Sequence, residues 1–136
     1  MKYFIITGTS RGLGEAIAER LNAPNHYLIC ISRNRNDTLI SKSINIDYLE
    51  FDLNNVDEFD VLMGNVFSKI DEQNVEGIYL INNAAIISPL CRIEQGSIQD
   101  FKTNLHVNLL APILLTSSFI RNTKHIRAEK RVLNVS

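Results

Sequence analysis

Three glycines set between an apolar strand and an amphipathic helix constrain this chain more than any other feature. The stretch 3–21 opens with the β-branched, apolar run Tyr3–Thr7, which predicts a fully buried strand. Gly8, Gly12 and Gly14 follow, and a helix is expected to start among them. Leu13, Ile17 and Leu21 recur at helical spacing, so they are expected on one face, packed back on the sheet. Glycine lets a backbone turn tightly and approach a ligand where a Cβ would clash. A loop that ends at a helix N-terminus offers free N–H groups and the positive end of the dipole to an anion. Strand, glycine loop and helix start together predict a phosphate cradle.

The spacing narrows the kind of cradle. No Gly-Lys-Ser/Thr follows, as a P-loop would need, and G-x-G-x-x-G does not fit. The pattern is Thr7-Gly8-x-x-x-Gly12-x-Gly14. After the turn Asn22-Ala23-Pro24-Asn25, a second apolar strand, Tyr27–Ser32, runs straight into Arg33. In a dinucleotide fold the end of this strand meets the adenosine ribose, where NAD sites place Asp or Glu. Ser32 and Arg33 stand there instead, and Arg11 lies within the glycine loop. A guanidinium fork suits a phosphate, which a carboxylate would repel, so NADP is the expected cofactor. The competing reading of Arg11 and Arg33 is two solvated surface side chains.

Downstream, Asp37–Asn45 suits a loop or one short helix, and Asp47–Phe51 a third strand that ends in Asp52-Leu53. Asp52 could accept from an adenine amino group, with Asn54 or Asn55 left to cap the next helix. That helix is expected over 56–73, with Phe59, Leu62, Met63, Val66, Phe67 and Ile70 as its core face. A fourth strand, Ile78–Ile81, leads into Asn82-Asn83-Ala84-Ala85, small residues that let a flat ligand lie close. The loop 86–96, with Pro89 and Cys91, is read as a wall of the substrate pocket. Ser97 or Asp100 should cap a long helix running through Asn108 to about Arg121, kinked or locally defective at Pro112. A fifth strand is expected over Arg131–Ser136.

With 14 Lys and Arg against 15 Asp and Glu, the net charge is −1, so no basic nucleic-acid footprint is present. No stretch is expected to reach the length of a membrane span, and the apolar run after Lys2 is broken too soon for a secretory signal. Cys30 and Cys91 have no metal-ligand spacing and are too few for a disulfide framework. Cys30 reads as core and Cys91 as a free loop thiol. His26, His106 and His125 show no ligand spacing, so no metal site is expected. The expected location is a reducing cytoplasm.

Thr7-Gly8-x-x-x-Gly12-x-Gly14, Asp52-Leu53, Asn82-Asn83-Ala84-Ala85 and Asn108 occur in one order and at set distances. Together they resemble the N-terminal part of the short-chain dehydrogenase/reductase family, over the whole chain. The opening stretch is most similar to the bacterial benzil reductases and their sepiapterin-reductase-like relatives. The resemblance implies a Rossmann-type, doubly wound parallel α/β sheet of order 3-2-1-4-5, with residues 1–136 as the NADP-binding portion of a longer single-domain reductase. It assigns Gly8, Ser10, Arg11, Gly12, Leu13 and Gly14 to the cofactor's phosphates. Ser32, Arg33, Asp52 and Leu53 go to its adenosine end, and Asn83, Ala84 and Ala85 to the ribose beyond. The family's Asn-Asn-Ala-Gly appears here with Ala85 in the last place.

In that family Tyr gives a proton to a carbonyl while nicotinamide delivers hydride, Lys lowers the Tyr pKa and Ser binds the carbonyl oxygen. An Asn in the long helix helps hold a water-linked proton path, and Asn108 occupies that position. A structural duty for Asn108, satisfying helix groups freed at the Pro112 defect, is the competing reading, and the two roles could coexist. No Tyr-x-x-x-Lys occurs within these residues, so 1–136 alone is expected to be inactive. Ser136 matches either the family's catalytic serine or the serine before it. The resemblance implies reduction of a small ketone or dione by a homo-oligomeric parent. A dinucleotide-binding sensor or scaffold without chemistry is the competing class, since fold alone does not decide function.

Overall fold

The computed structural model describes residues 1–136. Five parallel strands form one sheet in the order β3-β2-β1-β4-β5, as expected. They are β1 (Lys2–Thr7), β2 (His26–Ser32), β3 (Ile46–Glu50), β4 (Gly77–Asn82) and β5 (Glu129–Asn134). The helices are α1 (Gly12–Leu21), α2 (Asp37–Ile40), α3 (Phe59–Phe67), α4 (Ile98–Leu105) and α5 (Ala111–Thr123). Parallel neighbours need crossover connections, and each helix layer supplies them.

Alternation along the central strands sorts the core into two layers. Tyr3, Ile5, Ile29, Ile31, Ile78 and Leu80 face α3 and α5, joining Phe59, Leu62, Met63, Val66, Leu115 and Phe119. Phe4, Ile6, Leu28, Cys30 and Ile81 face the other way, with Ala18 and Leu39 over them. The strand order reverses between β1 and β4, which run parallel, and this opens a crevice at their carboxyl ends.

Four local expectations are corrected. Leu13 is 58% exposed and packs on no sheet. It stands in the first helical turn, where a side chain projects back past the N-terminus, so Ala18, Ile17 and Leu21 make the sheet contact instead. Neither Asn54 nor Asn55 caps a helix: Asn54 Oδ1 meets His106 Nδ1 at 2.9 Å, and the chain enters α3 through a 3₁₀ turn, Val56–Glu58. The α3 helix is therefore shorter than 56–73, although its expected core face is kept. The fourth correction concerns length: the helical run Ile98–Thr123 is long and apolar enough to cross a membrane by length and composition. Here its Val107, Ala111, Leu115 and Phe119 are buried on the sheet.

Ser97 and Asp100 do form a reciprocal cap at α4, Asp100 N–H donating to Ser97 Oγ at 3.1 Å and Ser97 N–H to Asp100 Oδ2 at 3.0 Å. The defect at Pro112 is a π-helical segment, His106–Leu110, in which the Ala111 N–H reaches His106 O. Pro112, lacking an N–H, follows at the start of α5.

Candidate functional site

A cleft of about 660 Å³ opens at the carboxyl ends of β1, β2 and β4. Its floor is the glycine loop. Gly8 has φ +75°, and a Cβ there would meet Ala84 Cα at 2.8 Å. At Gly14 a Cβ would stand 2.0 Å from Gly8 O, so only glycine lets α1 start so close to β1. Gly12 turns left-handed at φ +62° with open space on its Cβ side. Arg11, at the N-cap of α1, is extended and makes no side-chain cap. The first N–H groups of α1 are thus left free for an anion.

Thr7 knits the loop to β4. Its buried Oγ1 accepts from the N–H groups of Asn83 and Ala84, each at 3.0 Å. Asn83 Nδ2 answers by donating to Thr7 O at 3.1 Å and Gly8 O at 3.2 Å. In the sequence Thr7 has a motif position only; its bonds to the residues that follow β4, far along the chain, had no local signal.

The remaining expected residues gather around this floor. Ser10, Arg11, Gly12, Leu13, Ser32, Arg33, Asp52, Leu53, Asn83, Ala84 and Ala85 all line the cleft with Gly8 and Gly14. Asp52 Oδ1 accepts from Asn54 N–H at 2.9 Å, while Oδ2 makes no hydrogen bond. Ser32 is nearly buried, and its Oγ donates to Asn34 O at 2.8 Å, so its hydroxyl is committed within the chain. Arg33 and Arg11 are exposed and form no ion pair, whereas the neighbouring Arg35 is paired with Asp37 at 2.8 Å. Thr103 and Val107 also line the cleft and were not anticipated, because their helix meets it only through the fold.

Asn108, in the π-helical segment, does not line the cleft itself but bonds Ile86, which does. Its Oδ1 accepts from Ile86 N–H and its Nδ2 donates to Ile86 O, each at 2.8 Å. This corrects the alternative duty at the helix defect: the side chain braces the strand-to-loop junction and not the helix groups near Pro112. Cys30 lies in the core, where burial pushes its thiol up to about 12, with a Thr9 hydrogen bond opposing. Cys91 is exposed. Ser136 is exposed beyond the end of β5.

The family model described as short chain dehydrogenase matches residues 2–136. The chain belongs to the short-chain dehydrogenase family. It is 43% identical to a benzil reductase ((S)-benzoin forming) of Bacillus cereus, over 100% of this chain and 56% of that protein. The like-named protein of Bacillus subtilis (strain 168) is 32% identical, over 100% of this chain and 55% of its own length. The chain thus spans about half the length of these curated relatives. A short-chain dehydrogenase/reductase from Burkholderia vietnamiensis has the same fold, with a TM-score of 0.89 and 26% identity over 98% of this chain and 62% of that one.

Short-chain dehydrogenases bind a nicotinamide dinucleotide. The cradle fits such a group on its own geometry: the Cβ-free floor at Gly8 and Gly14, the uncapped start of α1, and the small Ala84 and Ala85 past β4.

Proposed function

We propose that residues 1–136 are the NADP-binding portion of a reductase that converts a hydrophobic ketone or dione to the hydroxyl product, as a benzil reductase does. The observation that carries the cofactor choice is the unpaired pair Arg11 and Arg33 on the cleft, with no carboxylate closing β2. When bound, the nicotinamide supplies the hydride. The free N–H groups at the start of α1 would hold the pyrophosphate, and the two guanidiniums the 2′-phosphate. Asp52 Oδ2 is open to accept from the adenine amino group. Asn108 fixes the Ile86 junction, so the wall beyond β4 keeps its place beside the reacting carbonyl. The proton that completes the alcohol is assigned to a Tyr-x-x-x-Lys pair, which these residues do not include. In the same reading the enzyme is cytoplasmic and homo-oligomeric. Phe101, Leu105, Leu109, Ile113 and Ile120, exposed along α4, the π-helical segment and α5, support self-association.

The test uses the protein expressed from its full natural reading frame. It should bind NADP more tightly than NAD and oxidise NADPH when given benzil. Arg33→Asp should weaken NADP about ten- to a hundredfold, the value of a charge-assisted contact of about 1.5–3 kcal/mol, and spare NAD. Equal affinity for the two cofactors in the unmodified protein refutes the cofactor choice. Binding without turnover of any carbonyl favours the sensor or scaffold reading.

A further inference from the structure

Behind the cleft, three segments meet at one hydroxyl. Tyr48 comes from β3, its ring half-buried against the smaller core layer. Thr9 Oγ1, from the glycine loop, donates to the Tyr48 hydroxyl at 3.2 Å. The same hydroxyl donates to Asn34 O at 3.0 Å and lies in close contact with Ser32 Oγ. Ser32 in turn donates to Asn34 O, so the turn after β2 is held from two sides. Neither Tyr48 nor Thr9 lines the cleft. A second tie runs parallel to this one, Asn36 Nδ2 donating to Ser10 O at 3.2 Å and to Glu15 Oε1 at 2.9 Å.

The segments joined in this way carry Arg11 and Arg33. Both side chains are long and exposed, so their own packing does not fix where the guanidiniums stand. The backbone that bears them is fixed instead, and the Tyr48 hydroxyl connects its two halves. We propose that Tyr48 is a positioning residue for cofactor selectivity. By locking the Ser32–Asn34 turn to the glycine loop, it sets the gap in which a 2′-phosphate monoester is held between Arg11 and Arg33. This rests on the NADP reading above. Loosening that gap penalises a ligand with a 2′-phosphate and leaves one with a 2′-hydroxyl untouched, because only the former spans both arginines.

The experiment is calorimetric titration of the full-length protein and its Tyr48→Phe variant with NADP, NAD, adenosine 2′,5′-bisphosphate and adenosine 5′-monophosphate. Tyr48→Phe keeps the ring and removes the hydroxyl. It should weaken NADP and the bisphosphate about three- to tenfold, the value of one hydrogen bond, and leave NAD and the monophosphate within about twofold. Thr9→Val, which removes the donor to the same hydroxyl, should shift selectivity in the same direction and serves if Tyr48→Phe does not fold. A parent that binds NADP no better than NAD overturns the cofactor reading itself. A parent that prefers NADP, with variants that weaken all four ligands alike or none, overturns the role of Tyr48 alone.

Discussion

The two ends of the cleft are built by different means. At the β2–β3 end, side chains clasp backbone across segments: Tyr48 to Asn34, Thr9 to Tyr48, Asn36 to Ser10. At the β4–α4 end the glycine loop is still gripped by Asn83, and Asn108 holds Ile86. Beyond Ile86 the ties thin out to Asn104 Nδ2 donating to Ser88 O at 2.8 Å. There Ile87, Leu90 and Ile93 are 78%, 87% and 82% exposed. One end is closed by polar bonds that hold the backbone on either side of Arg11 and Arg33. The other presents apolar surface with few partners, which suits an entrance for the hydrophobic carbonyl compound proposed above.

The sharpest way to break this contrast is to disturb the floor that both ends share. Gly14→Ala would set a methyl against Gly8 O, an overpacking that typically costs about 1–3 kcal/mol and sometimes more. Thermal melts should show a lower midpoint, and cofactor titration should show binding lost at both ends. Retention of wild-type affinity would mean that the loop relaxes and that close approach is not what glycine provides.

A more selective change acts at the open end alone. Asn108→Ala removes two hydrogen bonds to one residue, about 1–2 kcal/mol in an exposed setting. Amide exchange at Ile86 should accelerate, while the amides of Gly8 and Asn83 keep their protection. If protection falls equally at both ends, the cleft is one cooperative unit and its two ends do not differ in local stability.

The smallest perturbation compares the two cysteines. Cys30 lies under the clasped end and Cys91 on the open one. Burial raises the Cys30 thiol from 9.0 to about 12, outweighing the Thr9 hydrogen bond, so folding holds its proton. Stability linked to this group is complete below pH 9.0 and declines as pH rises toward about 12. At neutral pH a thiol reagent should label Cys91 within minutes and Cys30 only on unfolding, as mass spectrometry of the digested protein would report. Rapid labelling of both would show that the clasped end opens.

What the chain's order of residues determined by itself was local or periodic. The glycine loop and the apolar strand runs were legible, because strand composition and glycine spacing act over short ranges, while the 3-2-1-4-5 order was implied by the family resemblance. The Ser97–Asp100 cap and the defect at Pro112 were legible for the same reason: each depends on residues within one or two turns. Tertiary structure decided the rest. Leu13 has the spacing of a core residue but sits too near the helix start to reach the sheet. Asn54 has the chemistry of a cap but is taken by His106 from a distant helix. Ser32 lines the cleft, but nothing in its local sequence showed that its hydroxyl would bond Asn34 O and pack against Tyr48. Tyr48 itself carried no signal, since a tyrosine in a strand satisfies the β pattern wherever its hydroxyl ends. The Tyr48 hydroxyl lies 14 residues along the chain from Asn34, 16 from Ser32 and 39 from Thr9, and only the pairing of β3 with β2, and of β2 with β1, brings these groups together.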